Sequence, residues 1–177
     1  MKRAIFLDCD GTIIVDKGYL SDPHDVMFEP DAVAGLRAMA ASGFALVVVS
    51  NQSGIGRGLF PRTAADAVNG RLAEMLLQRG IALAGIYICP HAPDAGCHCR
   101  KPQPGLILQA SAELDLDING SFMIGDKQCD LELARNVGAT GILLTTGAGA
   151  KTEGWARENG FGVCTSLLDA MGCVQKP

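Results

Sequence analysis

The chain has 177 residues, close to the roughly 150 of an ordinary domain, so one domain spanning 1–177 with a substantial core is predicted. Its composition, 48% hydrophobic and 19% charged with a mean hydropathy of +0.21, excludes a disordered chain, a collagen-like repeat and a coiled coil. Fifteen basic residues against nineteen acidic ones leave a net charge of -4, so no broad cationic surface is expected to follow a phosphodiester backbone, and nucleic acid is not expected as a partner.

In chain order, the first apolar run, Ala4 to Leu7, is too short for a signal sequence or a membrane span and reads as a buried strand. A cytoplasmic protein without membrane contact is expected. Asp8-Cys9-Asp10-Gly11-Thr12 follows that strand, and Asp31 is placed to cap a helix ending near Gly43. A second strand, Ala45 to Val49, runs into Ser50-Asn51-Gln52-Ser53-Gly54. Thr63 with Asp66 makes a capping-box-like start for a helix that ends near Gly80 and carries Val68, Leu72, Met75 and Leu76 on one face. The third strand, Ile86 to Ile88, leads into Cys89-Pro90-His91, and Pro104 opens a helix bearing Leu106, Ile107, Ala110 and Leu114. Phe122 to Ile124, followed by Gly125-Asp126-Lys127, and Gly141 to Leu144 complete the predicted strands.

Continuous apolar strands alternating with helices specify a parallel sheet covered on both faces, an α/β Rossmann-like fold. Ligands bind such sheets beyond the carboxyl ends of the strands. The four loops that begin at Asp8, Ser50, Cys89 and Gly125 should therefore converge on one crevice.

Two of the residues in that crevice, Asp8 and Asp10, stand two apart in a single turn, where their repulsion is tolerable only with a cation or a shared proton. With Asp126 they offer three oxygen donors in an open site, which suits Mg2+, an ion that keeps waters and accepts phosphate oxygens. Arg100, Lys101 and the Ser50 hydroxyl add donors beside the acids. Such a set fits phosphoryl transfer, whose transition state spreads charge over three oxygens and leaves one carboxylate free to attack.

Of seven cysteines, three fall between Cys89 and Cys99 in a loop that also holds His91, Pro90, Pro93, Asp94 and Gly96. An odd number, with no export signal, argues against a disulfide framework. Cys89, His91, Cys97 and Cys99 instead supply three thiolates and an imidazole, the complement of a closed, structural Zn2+ site. His98 is expected to face solvent. Because Cys99 directly precedes Arg100 and Lys101, a fixed loop over 89–101 would hold both cations over the crevice.

Asp8-x-Asp10-Gly11-Thr12, Ser50 after a hydrophobic strand, Lys101, and Gly125-Asp126 with Asp130 resemble the four motifs of the haloacid dehalogenase (HAD) phosphatase superfamily. Ser50 to Gly58, the cysteine loop ending in Cys99-Arg100-Lys101-Pro102, and Gly125-Asp126-Lys127 narrow the resemblance to its D-glycero-D-manno-heptose 1,7-bisphosphate 7-phosphatase branch. The resemblance implies that Asp8 is the nucleophile, that Asp10 is the acid and then the base, and that Ser50 and Lys101 stabilise the phosphoryl group. It implies Mg2+ held by Asp8, the main-chain carbonyl of Asp10, and Asp126. Asp16, Gly18, Tyr19, Asn51, Gln52, Ser53, Arg100, Lys101 and Lys127 would contact a sugar bisphosphate.

Cys9 departs from the arginine, and Ile14 from the asparagine, found in many relatives, and the zinc loop is short. The intervals from Asp10 to Ser50 and from Ser50 to Lys101 leave no room for a cap domain, so an open site on a monomer is expected. Histidinol-phosphate phosphatase is the nearest rival; Arg57, a further cation for a second phosphate, favours the sugar substrate. A receiver-like phospho-switch ranks lower, because its acceptor aspartate follows a middle strand in the sequence. A zinc-loop interaction module with a dead site is disfavoured, since no expected catalytic residue is missing.

Overall fold

The computed structural model describes residues 1–174. Its centre is a six-stranded, wholly parallel sheet in the order β3-β2-β1-β4-β5-β6. The strands are β1 (Lys2–Leu7), β2 (Ala45–Asn51), β3 (Gly85–Cys89), β4 (Leu116–Gly125), β5 (Thr140–Leu144) and β6 (Gly162–Cys164). Between and after them lie α1 (Ala32–Ala41), α2 (Ser53–Gly56), α3 (Arg62–Leu77), α4 (Gly105–Leu114), α5 (Gln128–Val137), α6 (Gly149–Glu158) and α7 (Leu167–Val174), with one 3-10 turn over Pro23–Asp25.

The apolar runs are continuous because each central strand is covered on both faces. Ile5 and Leu7 of β1 point into a core shared with Leu36 and Met39 of α1, Leu72 and Leu76 of α3, and Leu167 and Met171 of α7. Ala4 and Phe6 point the other way, toward Leu106, Ile107 and Ala110 of α4 and Leu133 and Ala134 of α5. Each of these side chains, all nearly or fully removed from water, contributes about 1.5–3 kcal/mol where it is a full-sized aliphatic or aromatic group. Phe44 adds an edge-on contact to Phe122, with ring centroids 5.9 Å apart.

The five strands read from the sequence are present, and β6 is an addition. Its three residues, Gly162–Cys164, are too few for a periodic signal and acquire their identity from pairing with Ile142 to Leu144. β4 begins earlier than its apolar run because Leu116 and Asp117 pair with Lys2 and Arg3 before a register shift restores pairing at Phe122. Two predicted caps do not form. Asp31 precedes α1 with φ 61° and makes no capping hydrogen bond. Helix α3 starts at Arg62, where the Asp66 carboxylate accepts from Arg62 Nε at 3.0 Å instead of serving a Thr63 cap. Pro104 stands one residue before α4, not inside it.

The registers level the strand ends. Leu7 pairs with both Val48 and Ile124, Ser50 with Ile88, and Gly125 with Leu143. Asp8, Ser50, Cys89 and Asp126 therefore emerge at one edge of the sheet. The order reverses direction between β1 and β4, so the loops after these strands splay to opposite sides and leave the crevice that parallel sheets use for ligands. Among the described residues no helix is long and apolar enough to cross a membrane.

Candidate active site

Asp8 leaves β1 with its backbone N–H bonded to the Ile124 carbonyl at 2.9 Å, which ties the first catalytic candidate to the neighbouring strand. The turn that follows needs Gly11: its φ is +87°, and a Cβ there would collide with the Asp126 carboxylate. Gly125 is equally constrained, since a Cβ would overlap the Asp130 side chain. These glycines let three acids approach within a volume that larger residues would fill. Gly11→Ala is expected to weaken Mg2+ binding at least about tenfold while also costing about 1–2 kcal/mol of backbone strain. Titration calorimetry with Mg2+ and a urea melt would measure the two effects separately.

Lys101 is the buried counter-ion of the site. Its Nζ lies 2.7 Å from Asp8 Oδ1 and 2.6 Å from Asp130 Oδ1, and only 2% of its side chain is exposed. Burial works against ionisation of Asp8, but the charges of Lys101 and Lys127 outweigh it and hold the carboxyl below its ordinary range. Burial likewise opposes the Lys101 charge, and Asp130 and Asp8 more than restore it. Asp130 is pushed up to about 6, by burial first, with Lys101 pulling the other way. It also fastens the start of α5 by accepting the Lys127 backbone N–H at 3.1 Å.

Asp10 sits in a different environment within the same turn. Burial and then the Asp8 charge push its carboxyl up to about 6, against a hydrogen bond from Gln52. Gln52 Nε2 donates to Asp10 Oδ2 at 2.9 Å and to Ser50 Oγ at 3.0 Å. Two carboxyls two residues apart are thus driven in opposite directions, one held ionised and one able to retain a proton, which suits a nucleophile and a proton carrier.

The oxygens expected to hold Mg2+ converge. Lys127 Nζ lies 3.0 Å from the main-chain oxygen of Asp10, 3.0 Å from Asp126 Oδ1 and 3.5 Å from Asp8 Oδ2. A single cation can therefore reach all three, and the carboxylates of Asp8, Asp126 and Asp130 have oxygens within 4.8 Å of one another. Hard oxygen donors gathered around one point fit Mg2+. Asp126 Oδ2 is kept out of the way, accepting the Ala148 N–H at 2.8 Å. Burial and the Asp8 charge push Asp126 up to about 6.

A cavity of about 300 Å³ opens beside these groups, lined by Asp10, Asp16, Tyr19, Gln52, Arg100 and Lys127 among others. Gly18 and Ser53 line it too, and the Gly18 N–H is bound by Asp16 Oδ1 at 2.8 Å. Asn51 reaches the cavity but its amide is committed: Oδ1 accepts from the Lys101 N–H at 2.9 Å, and Nδ2 donates to the Lys101 carbonyl at 3.2 Å. It clamps the main chain of the buried lysine to β2. Arg100 Nη1 is buried and has no hydrogen-bond partner, a donor left for an anionic ligand.

The second cluster lies at the end of β3. Sγ of Cys89 is 3.6 Å from His91 Nδ1 and 3.6 Å from Cys97 Sγ, while Cys99 Sγ is 3.2 Å from His91 Nδ1 and 3.5 Å from Cys97 Sγ. Zn–S bonds of about 2.3 Å at tetrahedral angles place sulfurs about 3.8 Å apart, so the cluster is compatible with a closed Zn2+ site. Burial opposes ionisation of Cys97, but the backbone N–H groups of Arg100 and Cys99 bring its thiol down to about 6, toward the form that binds metal. His98 is exposed, as expected.

One segment escaped the sequence reading. The loop after β5 bonds Thr146 Oγ1 to the Gly11 carbonyl at 2.6 Å and supplies the Ala148 N–H that holds Asp126. Its signal was the run Thr145-Thr146-Gly147-Ala148 directly after an apolar strand, the same position from which the other four loops act. Cys129, also on the cavity wall, had no signal beyond its neighbours.

Comparison with known proteins agrees with this geometry. A family model for HAD-hydrolase-like proteins matches residues 98–170. The D-glycero-beta-D-manno-heptose-1,7-bisphosphate 7-phosphatase of Yersinia pestis is 43% identical over 175 residues, covering 94% of this chain and 92% of its own. The Escherichia coli K12 protein of the same name is 40% identical over 182 residues, covering 98% and 94%. The crystal structure of the D,D-heptose 1,7-bisphosphate phosphatase of B. bronchiseptica, complexed with magnesium and phosphate, superimposes with a TM-score of 0.90 at 32% identity over 100% of both chains. With relatives this similar over nearly its whole length, the chain belongs to the D-glycero-D-manno-heptose 1,7-bisphosphate 7-phosphatase family of HAD-like phosphatases.

Proposed function

We propose that the protein is a Mg2+-dependent phosphatase that removes the C7 phosphate of D-glycero-D-manno-heptose 1,7-bisphosphate in the synthesis of nucleotide-activated heptose. The observation that carries the reading is the geometry of one turn: Asp8 Oδ1 lies 2.7 Å from the buried Lys101 Nζ, Asp10 Oδ2 accepts from Gln52 at 2.9 Å, and the Asp10 carbonyl and Asp126 carboxylate converge beside them within reach of a single cation.

Asp8 attacks phosphorus, forming an aspartyl ester as the bond from phosphorus to the C7 oxygen breaks. Asp10 delivers its proton to the departing alkoxide and then takes one from the water that hydrolyses the ester. Asp8, the Asp10 carbonyl and Asp126 would hold Mg2+, which when bound neutralises charge between the carboxylates and the phosphoryl oxygens. Lys101 and the Ser50 hydroxyl stabilise the transferring group. Asp16, Gly18, Tyr19, Asn51, Gln52, Ser53, Arg100 and Lys127 surround the sugar, and Arg100 offers its unpartnered donor to the second phosphate. Asn51 and Gln52 act partly through other residues, by holding Lys101 and Asp10.

Phosphate release from the two anomers of heptose 1,7-bisphosphate, with histidinol phosphate and fructose 1,6-bisphosphate as comparators, tests this reading. The heptose is expected to exceed both comparators by at least about a hundredfold in kcat/KM, with the beta anomer ahead; faster turnover of histidinol phosphate would transfer the assignment to that substrate. We take the enzyme to act in the cytoplasm as a monomer, checked by light scattering.

Zn2+ on Cys89, His91, Cys97 and Cys99 would be structural, because four protein ligands complete its tetrahedron. It would act by holding Arg100 and Lys101 in place. Cys97→Ser should therefore loosen the loop and raise KM more than it lowers kcat. Steady-state kinetics together with zinc analysis measures this; unchanged kinetics in a zinc-free variant would remove the metal from the account.

A further inference from the structure

Of the four cysteines outside the candidate zinc cluster, Cys9 lies in the acidic turn and Cys129 on the cavity wall, and the other two stand apart from both. Cys164 ends β6 and is buried, Cys173 lies in the last turn of α7 and is half-buried, and their sulfurs are 3.3 Å apart. The chain between them turns from the sheet into α7, the helix that packs along α1: the backbone of Leu167 presses so closely on Gly35 that no Cβ could stand there. Ala170, Met171 and Val174 carry the rest of that face into the core.

We propose that Cys164 and Cys173 are a site of reversible oxidation, closing a disulfide that clips the end of α7 to β6 when the protein meets a low-molecular-weight disulfide such as oxidised glutathione. A disulfide needs sulfurs about 2.05 Å apart and side chains directed at each other. The pair has the second already, and needs an approach of little more than an ångström between the end of β6 and the last turn of α7.

The order of reaction follows from exposure. Burial, with the neighbouring Cys173 thiol, pushes Cys164 up to about 12, so it is a poor first nucleophile. Cys173 reacts first: its thiolate attacks a sulfur of the small disulfide, forming a mixed disulfide and releasing one thiol. Cys164 then loses its proton and attacks the Cys173 sulfur, releasing the second thiol. Two electrons and two protons pass from the protein to the small disulfide, which is reduced to two thiols. In a reducing compartment the pair stays open, and oxidising conditions close it.

The closed form should leave catalysis alone. The main-chain carbonyl of Cys164 accepts the Thr145 N–H at 3.0 Å, at the start of the loop that holds Asp126, and that bond does not involve the sulfur. The clip instead restricts the unfolded chain and raises stability.

The full-length, zinc-loaded protein would be equilibrated with oxidised and reduced glutathione in varying ratio, its remaining thiols alkylated, and its peptides mapped by mass spectrometry while zinc content is followed. A Cys164–Cys173 crosslink is expected before zinc is lost, with a rise in Tm of roughly 5 °C, kcat changed less than about twofold, and full reversal by excess reduced glutathione. Cys173→Ser should show neither crosslink nor Tm rise under the same oxidant, and Cys173→Ala serves if the serine variant folds poorly. Complete alkylation of both thiols in the oxidising mixture, a mixed disulfide that never resolves, or the same Tm rise in the variant would overturn the proposal.

Discussion

Asp8→Asn should reduce phosphate release at least about a thousandfold while the chain remains folded, because the amide keeps the shape of the side chain and removes its nucleophilicity. The structure predicts more than lost turnover. Asp8 lies under two lysines that hold it ionised, and its own charge helps to raise Asp10, Asp126 and Asp130. Removing that charge should let all three titrate lower, while Lys101 keeps Asp130 as a partner at 2.6 Å. The stability change is therefore a balance. A carboxyl with a depressed pKa stabilises the fold at neutral pH and loses that contribution as pH falls; relief of repulsion among three neighbours opposes the loss. A melt within a few degrees of wild type, together with phosphate trapped on the wild-type chain and none on the variant in a chemical quench, is the expected result. Asp10→Asn is the informative contrast. Its main-chain oxygen is untouched, so Mg2+ should still bind while the alkoxide loses its proton donor. Turnover surviving in Asp8→Asn would refute the nucleophile.

Lys101→Met should be as damaging to the fold as to the chemistry. The ammonium is enclosed between Asp8 and Asp130, whose side chains are 5% and 0% exposed. Methionine fills the space but leaves two buried carboxylates facing one another. Breaking a buried ion pair from one side typically costs about 3–5 kcal/mol, and loss of a charge-stabilising donor at the phosphoryl group should lower kcat/KM by about a hundredfold or more. The sign with pH is fixed by the acids left behind. Asp130 already stands near 6 with the lysine present, and without it rises further, so the variant should be most destabilised at neutral pH and above. It should recover relative to wild type as pH falls toward about 6, where Asp130 protonates first, and on below it as Asp8, held low in the wild type, protonates as well. Adding Asp130→Asn should restore part of the stability and none of the activity. Urea melts of the two variants across pH, set beside their kinetics, separate the structural role of the lysine from its catalytic one; a Lys101→Met protein as stable as wild type at neutral pH would show that the carboxylates are compensated elsewhere.

Much of this site could be read without coordinates because its groups follow buried strands directly. An apolar run such as Ala45 to Val49 announces a strand, parallel strands in a wound sheet end at the same edge, and whatever comes next lies at that edge. Asp8, Ser50, Cys89 and Asp126 were legible for this reason, and the candidate zinc ligands because their spacing within one short loop admits few other uses. What depended on local side-chain competition was read less well. Asp31 looked like a cap and is not one, since the backbone there turns left-handed, and Asp66 prefers Arg62 to Thr63.

Sequence alone determined the fold class and the edge of the sheet that bears the chemistry, since both follow from runs of neighbouring residues; it offered metal-ligand candidates by residue type and spacing, and candidates for nucleophile and proton carrier through the resemblance to HAD phosphatases. Only the tertiary structure decided who partners whom: that Lys101 lies between Asp8 and Asp130, that Asn51 holds the lysine's backbone, that Thr146 and Ala148 brace Gly11 and Asp126, and that Cys164 meets Cys173. Spacing along a chain says which groups share a turn or a helix face. The charge each one carries depends on neighbours brought from elsewhere by strand order and register, and on how much water the packing leaves between them.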